Sequence, residues 1–188
     1  SGIFNGNGHS ISIMPTRAGG GRALFTTFNG TMKNVAFKNI NLGAQTALVG
    51  YKTTSGATVK DVYVEIAGVV LGYAGQLYQT GGLFGKVSGG RLNLKNVIVN
   101  STTNAWDGDA GKNVAFTGAN DESNEYGFVG GWINGTTVNM ENCQFIGGNG
   151  RIYGYKADGS AEYKPSNELS GYNIYTNVDG LKTAVSNQ

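Results

Sequence analysis

The clearest candidates for chemistry are carboxylates gathered in one short stretch of the chain. Five of the 12 acidic residues fall within nineteen positions: Asp107, Asp109, Asp121, Glu122 and Glu125. Asp107 and Asp109 flank a glycine, which resembles the alternating oxygen ligands of a calcium loop. The third ligand and the distal Glu of such loops are missing. Asp107 and Asp109 are therefore candidate Ca²⁺ ligands, and the alternative is a solvated loop.

Aromatic residues accompany these carboxylates. Tyr73, Tyr78, Trp106 and Tyr126 lie in or beside two segments that interrupt the regular pattern of the chain. Exposed aromatic rings can stack on sugar rings, but they can equally hold their own loop against the protein. The four residues are candidate ligand-binding residues for a glycan.

Nucleophilic and acid–base chemistry has little support. An enzyme acting on polysaccharides needs either carboxylates with a Ca²⁺ ion or paired aspartic acids, together with a basic residue. The chain has one histidine, His9, in a predicted turn, and one cysteine, Cys143, at a predicted core position. One cysteine also excludes an internal disulfide framework and a cysteine-based metal site. We expect no catalytic residues, and a polysaccharide lyase or hydrolase is the less favoured alternative.

Composition restricts the fold and the partners. Of the 188 residues 32 are Gly and 14% are charged, with a net charge of +2. Such a chain suits tight turns and polar strands better than long amphipathic helices. Lysine and arginine form no run, so nucleic acid is not expected as a partner. No apolar run is long enough to cross a membrane.

Two short elements alternate along the chain. The first consists of a small residue and two large apolar ones, mostly followed by Gly. It occurs at Ala23-Leu24-Phe25, Ala47-Leu48-Val49-Gly50, Gly82-Leu83-Phe84-Gly85 and Gly127-Phe128-Val129-Gly130. The second alternates apolar and polar residues, which is typical of a strand. It occurs at 32–37, 59–64, 94–99 and 140–145. Two strands per repeat predict stacked coils that bury a continuous core.

One polar position recurs in the second element. It is occupied by Asn34, Asp61, Asn96 and Asn142. In stacked coils these side chains lie above one another, and Asn tolerates the left-handed bend between strands. We therefore predict a structural ladder with Cα atoms about 4.8 Å apart. Cys143 falls at the next position, where the other repeats place Val, and is expected to pack in the core.

The spacing between elements grows on one side of the repeat. From the second element to the next first element the steps are 12, 20 and 30 residues (Val35 to Ala47, Val62 to Gly82 and Val97 to Gly127). Insertions at one coil position collect on one lateral surface, where solenoids usually make contacts. Segments 66–80 and 101–125 are therefore predicted to form one continuous patch.

These observations predict an all-β fold, a right-handed parallel β-helix of about five to six coils with lateral insertions. Residues 1–150 form the predicted repeat domain. Residues 151–188 contain five tyrosines and no repeat. They are predicted to form an irregular C-terminal segment that caps the open end of the stack.

The motifs also resemble a known family. Gly82-Leu83-Phe84-Gly85 and the strand after it resemble the GLUG-type repeats of bacterial surface proteins. The opening run Phe4-Asn5-Gly6-Asn7-Gly8-His9-Ser10-Ile11 is similar to the coil that often precedes such repeats. The wider similarity is to pectate-lyase-like β-helices, and it covers residues 1–148. Ala23-Leu24-Phe25-Thr26 departs from the pattern because it lacks the second Gly, and the insertions are longer than usual.

The resemblance implies exposure on a surface more than any activity. Proteins with such repeats include adhesins, accessory regions of extracellular proteases and phage tail or decoration proteins. We expect a non-catalytic extracellular module on the cell surface that contacts a glycan or a host or surface protein. The alternatives are a structural virion component, with homo-oligomer or virion assembly, and an accessory or degenerate polysaccharide-acting domain.

Overall fold

A computed structural model describes residues 2–12, 23–43, 45–70, 79–101, 126–146, 153–156 and 172–175, and every regular element among them is a β-strand. The strands are β1 (Ile3–Ser12), β2 (Phe25–Thr27), β3 (Thr31–Gly43), β4 (Gly50–Thr53), β5 (Ala57–Val70), β6 (Thr80–Gly81), β7 (Phe84–Ser88), β8 (Arg91–Ser101), β9 (Tyr126–Gly127), β10 (Gly130–Asn134), β11 (Thr137–Glu141), β12 (Cys143–Ile146), β13 (Tyr153–Lys156) and β14 (Tyr172–Tyr175).

All strand pairs are parallel, and each repeat contributes one strand to each of two sheets. The first sheet has the order β1-β3-β5-β8-β12-β14, and β11 also pairs with β8. The second sheet has the order β13-β10-β7-β4-β2. A third, two-stranded sheet joins β6 to β9. The prediction of an all-β fold with parallel strands is confirmed for the described residues.

The core lies along the inner faces of the sheets, where equivalent apolar residues of successive repeats are in register. One such column runs through Phe37, Val64, Val99 and Phe145, all of them fully buried. The ring of Phe145 stacks on that of Phe128, with centroids 5.4 Å apart. Because apolar residues occupy every second position of these strands, they share one face of the sheet, and that face packs against the rest of the core. Burial of the column is what holds the repeats in register.

The predicted polar position is in register in the first sheet. Lys33 pairs with Lys60 and Val35 with Val62, which places Asn34 beside Asp61. Asp61 lies beside Asn96 and Asn96 beside Asn142 by the same reasoning. All four residues have left-handed backbone conformations, with φ between 51° and 54°. Asn and Asp adopt this region at lower cost than other side chains, so the repeated bend explains the repeated residue type.

Hydrogen bonds join most of these side chains across the strands. Asn142 Nδ2 donates to Asn96 Oδ1 over 3.0 Å, and Asn96 Nδ2 donates to Asp61 Oδ1 over 2.8 Å. Asn34 Nδ2 donates to Asn5 Oδ1 over 3.1 Å, so Asn5 joins the series. An ionised carboxylate has no hydrogen to donate, and Asp61 therefore cannot repeat the bond toward Asn34. We call Asn5, Asn34, Asp61, Asn96 and Asn142 the amide column.

The glycine-containing element has a register that differs from its sequence pattern. Gly50 pairs with Phe84, and Phe84 pairs with Gly130. Phe25 pairs with Gly50 in the same way. Aligned by their pattern, Gly50 and Gly130 would instead lie beside Gly85. The pattern alignment is therefore one residue off in the first and third repeats.

The two ends of the chain also differ from expectation. The turn predicted around His9 is an irregularity inside β1, where the register with β3 shifts between Asn5 and His9. In the segment predicted to be irregular, β13 pairs with β10 and β14 with β12, so both sheets continue into it. The absence of a repeat in 151–188 did not predict these two strands, and the rest of the segment lies outside the described residues.

Candidate functional site

The ends of the two insertions are neighbours in the structure. The second insertion starts after Ser101 of β8, which pairs with Ile66 of β5. Where the insertions end, Thr80 of β6 pairs with Tyr126 of β9. Paired residues of adjacent parallel strands are about 5 Å apart, so the two insertions end side by side, and the second starts beside β5, the strand from which the first one leaves. The first insertion is shorter than predicted, because residues 66–70 continue β5 and pair with β3 as far as Gly43.

Most of the predicted binding residues lie in the insertions themselves. Tyr73, Tyr78, Trp106, Asp107 and Asp109 are outside the described residues. Tyr126 begins β9 beside Thr80, and its side chain is likewise not described. The glycan contact and the Ca²⁺ site therefore stay predictions. Within the described ranges, no group of three or more His, Cys, Asp or Glu side chains is arranged to hold a metal ion.

Two glycines allow the returning chain to pack closely against the second sheet. A Cβ on Gly131 would overlap the backbone N of Thr80 and lie 2.5 Å from the carbonyl C of Gln79. A Cβ on Gly85 would lie 2.6 Å from ring atom Cδ2 of Tyr51. The Tyr51 hydroxyl donates to Gln79 Oε1 over 2.8 Å. The end of the first insertion is thus fixed against the sheet by contacts that no larger residue at Gly85 or Gly131 would permit.

The residues that directly follow these two glycines belong to a column of cationic and aromatic side chains. Lys52 pairs with Lys86 in the second sheet, and Lys86 pairs with Trp132. Lys86 Nζ lies 4.3 Å from the centroid of the Trp132 ring, a cation–π distance. Lys52 is exposed, and Lys86 and Trp132 are partly exposed. An indole ring and two ammonium groups on a rigid strand surface can contact sugar rings and anionic groups.

Sequence reasoning missed this column because it searched the insertions for aromatic residues. Trp132 lies in a strand, and the one-residue shift in register hid the alignment of Lys86 with Trp132 and Lys52. A usable signal was present, since Lys52 and Trp132 each stand two residues after a glycine of the repeat, Gly50 and Gly130. The column lies directly beside Gln79 and Thr80, so it borders the end of the first insertion.

A small polar cluster lies just before the starting point of the second insertion. Asn100 Nδ2 donates to the Tyr63 hydroxyl over 3.5 Å, and that hydroxyl donates to Glu65 Oε2 over 3.4 Å. Burial, as the largest cause, raises the pKa of Tyr63. The phenol therefore stays protonated and acts as a hydrogen-bond donor, not as a base. Ile98 and Ile146 pack with Tyr63 and are buried outside the main core.

The single histidine and cysteine occupy unrelated places. His9 is exposed on β1, and Cys143 is fully buried in the core cluster. Burial raises the pKa of the Cys143 thiol, whose Sγ lies 3.5 Å from the carbonyl oxygen of Glu141. A buried protonated thiol packs as a small apolar group and is a poor nucleophile. Cys143 thus has the packing role that its position in the repeat predicts.

A cavity of about 370 Å³ lies at the end of both sheets, between β1 and β2. Its walls include Phe4, Phe25 and Phe28, whose rings pack edge-to-face and tilted at centroid distances of 6.1 and 5.1 Å. The walls continue the core toward the outermost strands. Ile3 beside them is 72% exposed, which marks the position where pairing of the first sheet stops.

Comparison of the chain with protein-family models, with characterised proteins and with solved structures gives no match. No helix among the described residues is long and apolar enough to span a membrane.

Proposed function

We propose that this chain is a non-catalytic surface module that presents its two insertions as one contact patch for a glycan or a partner protein. The neighbouring insertion ends carry the proposal: Thr80 lies beside Tyr126, and Ser101, where the second insertion starts, lies beside Ile66 of the strand that leads into the first. Segments that leave from and return to neighbouring strands share a surface, and a rigid sheet beneath them fixes its place.

The fold that we propose for this role is a right-handed parallel β-helix of about five to six coils. The parallel order of both sheets supports it, since each repeat adds one strand to each sheet. A right-handed crossover between parallel strands is the usual hand. The resemblance to GLUG-type repeats and pectate-lyase-like β-helices belongs to this proposal, as does an extracellular, cell-surface location.

The cation–aromatic column supports a glycan as the ligand. Trp132 and Lys86 stand on the sheet next to the end of the first insertion. We propose that they border the patch that Trp106, Tyr73, Tyr78 and Tyr126 supply. Aromatic anchors at the centre of a contact surface usually contribute most of its affinity.

Binding to an array of purified glycans tests the ligand class. Once a ligand is identified, Trp106→Ala should weaken binding by about 2 kcal/mol, as loss of an aromatic anchor does. Replacement of 103–123 by a short Gly-Ser link should abolish binding and preserve the melting temperature. Equally tight binding by that variant would contradict the proposal. Asn134→Ala, an exposed change in β10 away from the insertion ends, is the matched control.

A structural virion component is the alternative function. Electron microscopy of the source assembly separates the two, because a virion protein would be arrayed symmetrically on a capsid or tail. The second alternative, an accessory or degenerate polysaccharide-acting enzyme, has a direct test. We expect no release of unsaturated products from pectin, alginate or xylan, with or without added Ca²⁺. Turnover by the purified chain would establish the enzyme instead.

A further inference from the structure

Three lysines occupy one register position on the outer face of the first sheet. Lys33 of β3 pairs with Lys60 of β5, and Lys60 pairs with Lys95 of β8. Neighbouring parallel strands lie about 4.8 Å apart, so the three side chains form consecutive steps of a column. Lys33 and Lys60 are partly exposed and Lys95 is exposed. We call these three residues the lysine column.

The stacked lysines repel one another, and an acidic residue offsets this repulsion at one end of the lysine column. Like charges directly opposite one another on neighbouring strands are destabilising. Among the described residues, Glu141 of β11 pairs with Lys95, and their side chains form a 2.6 Å ion pair. Lys33 and Lys60 face no carboxylate in their own column. A bound anionic polymer would relieve the repulsion along the whole column.

The neighbouring column on the same face is uncharged and polar. It comprises Thr31, Thr58, Asn93 and Asn139. The first three each stand two residues before a lysine of the lysine column, and Asn139 stands two residues before Glu141. Asn139 Nδ2 donates to Asn93 Oδ1 over 2.8 Å. Hydroxyl and amide groups in a row match the hydroxyl groups of a sugar chain. Single-stranded nucleic acid favours aromatic platforms for its bases, and these two columns contain no aromatic residue.

The choice of lysine points to the shape of the anion. Arginine is preferred where a planar carboxylate is held by two parallel hydrogen bonds, whereas lysine acts as a point charge and is a common phosphate ligand. We propose that the lysine column binds a polysaccharide that carries tetrahedral anionic groups, sulfate or phosphate esters, while Thr58 and Asn93 contact its hydroxyl groups. This surface is separate from the insertion patch, because the lysines precede the bends of the amide column and the insertions follow it.

Titration with defined polymers tests the proposal. Dextran sulfate and dextran phosphate should bind, neutral dextran should not, and added salt should weaken binding. Lys60→Gln should weaken binding about tenfold, the effect of losing one charged hydrogen bond. Lys38→Gln is the matched control, since it removes the same charge from β3 beyond the bend at Asn34. Equal losses of affinity in the two variants would mean that binding depends only on net charge, which would overturn the proposal.

Glu141→Gln gives a change of opposite sign. It releases Lys95 from its ion pair and removes a negative charge, so it should tighten binding of dextran sulfate. Unchanged or weaker binding would count against the lysine column. A melting curve of each variant identifies loss of fold.

Three further outcomes decide the ligand class and the independence of the site. Equal or tighter binding of polygalacturonate would overturn the choice of tetrahedral anions. Tighter binding of a single-stranded oligonucleotide of matched charge would replace the polysaccharide by a nucleic acid. The variant in which a link replaces 103–123 should keep its affinity for dextran sulfate. Loss of affinity there would assign binding to the insertion patch and overturn the separate site.

Discussion

The two sheets keep their repeats together by opposite means. In the first sheet, the residues of the amide column bend the backbone and bond to one another across the strands. In the second sheet, Gly85 and Gly131 have no side chain, so the Tyr51 ring and the backbone of Gln79 and Thr80 can pack closely against them. We call this second arrangement the glycine contact.

The difference shows what each kind of repeat specifies. A repeated amide specifies a neighbour, since its partner is the same residue one strand away. A glycine specifies an absence of bulk, and a different group fills the space: the Tyr51 ring of the next strand at Gly85, and the backbone of Gln79 and Thr80 at Gly131. Substitutions in the amide column should therefore act on the stacking itself. Substitutions in the glycine contact should instead act by displacing Gln79 and Thr80, which pack against the second sheet.

The largest effect is expected at the glycine contact. Gly131→Ala places a Cβ against the backbone of Gln79 and Thr80, which cannot move aside as a flexible side chain would. It should lower the free energy of unfolding by about 3 kcal/mol, measured by denaturant titration. Gly2→Ala, with no atom within 4 Å of the added methyl, is the control. Similar stabilities for the two variants would show that the backbone of Gln79 and Thr80 can move aside without loss of stability.

In the amide column, Asn96→Leu should lower the free energy of unfolding by roughly 1–3 kcal/mol. Leucine loses the bonds to Asp61 and Asn142 and must adopt the left-handed φ of 51°. Asn96→Gly separates the two causes, because glycine adopts this φ freely and lacks only the bonds. A change near zero for Asn96→Leu would mean that the column contributes no stability.

A smaller gain is expected inside the second sheet. Thr53 is fully buried, pairs with Val87, and its Oγ1 has no hydrogen-bond partner among the described residues. Thr53→Val removes a desolvated hydroxyl and keeps the shape, so it should raise the free energy of unfolding by about 1 kcal/mol. Thr58→Val, at a partly exposed outer position, is the comparison. A loss of stability in Thr53→Val would reveal a partner for the hydroxyl.

The smallest effect tests the gap in the amide column. Asp61→Asn supplies an N–H that can donate to Asn34 Oδ1, as Asn96 donates to Asp61. The completed series should be more stable by about 0.5 kcal/mol, measured as an increase in the denaturant midpoint. The double variant with Asn34→Gly should lose this gain, because the acceptor is gone. A gain that persists in the double variant would have another origin.

The same contrast explains what could be predicted from the sequence. The register of the first sheet was predictable, since a residue type restricted to left-handed bends marks one position per repeat. The register of the second sheet was predicted one residue off at Gly85, because a small residue leaves the alignment free to slide. The alignment of Lys86 with Lys52 and Trp132 was missed for the same reason. The in-register lysines were visible in the sequence, yet their charge is informative only once the strands are known to be neighbours.

The amide column has a direction. Each described bond in it runs from an Nδ2 donor to an oxygen on the preceding strand, from Asn142 to Asn96, from Asn96 to Asp61 and from Asn34 to Asn5. The amide dipoles therefore point the same way, and the two ends of the series are chemically unlike. A side chain that continues it before Asn5 must offer an acceptor, whereas one that continues it beyond Asn142 must offer a donor. Two such stacks could thus extend one another head to tail but would clash electrostatically head to head.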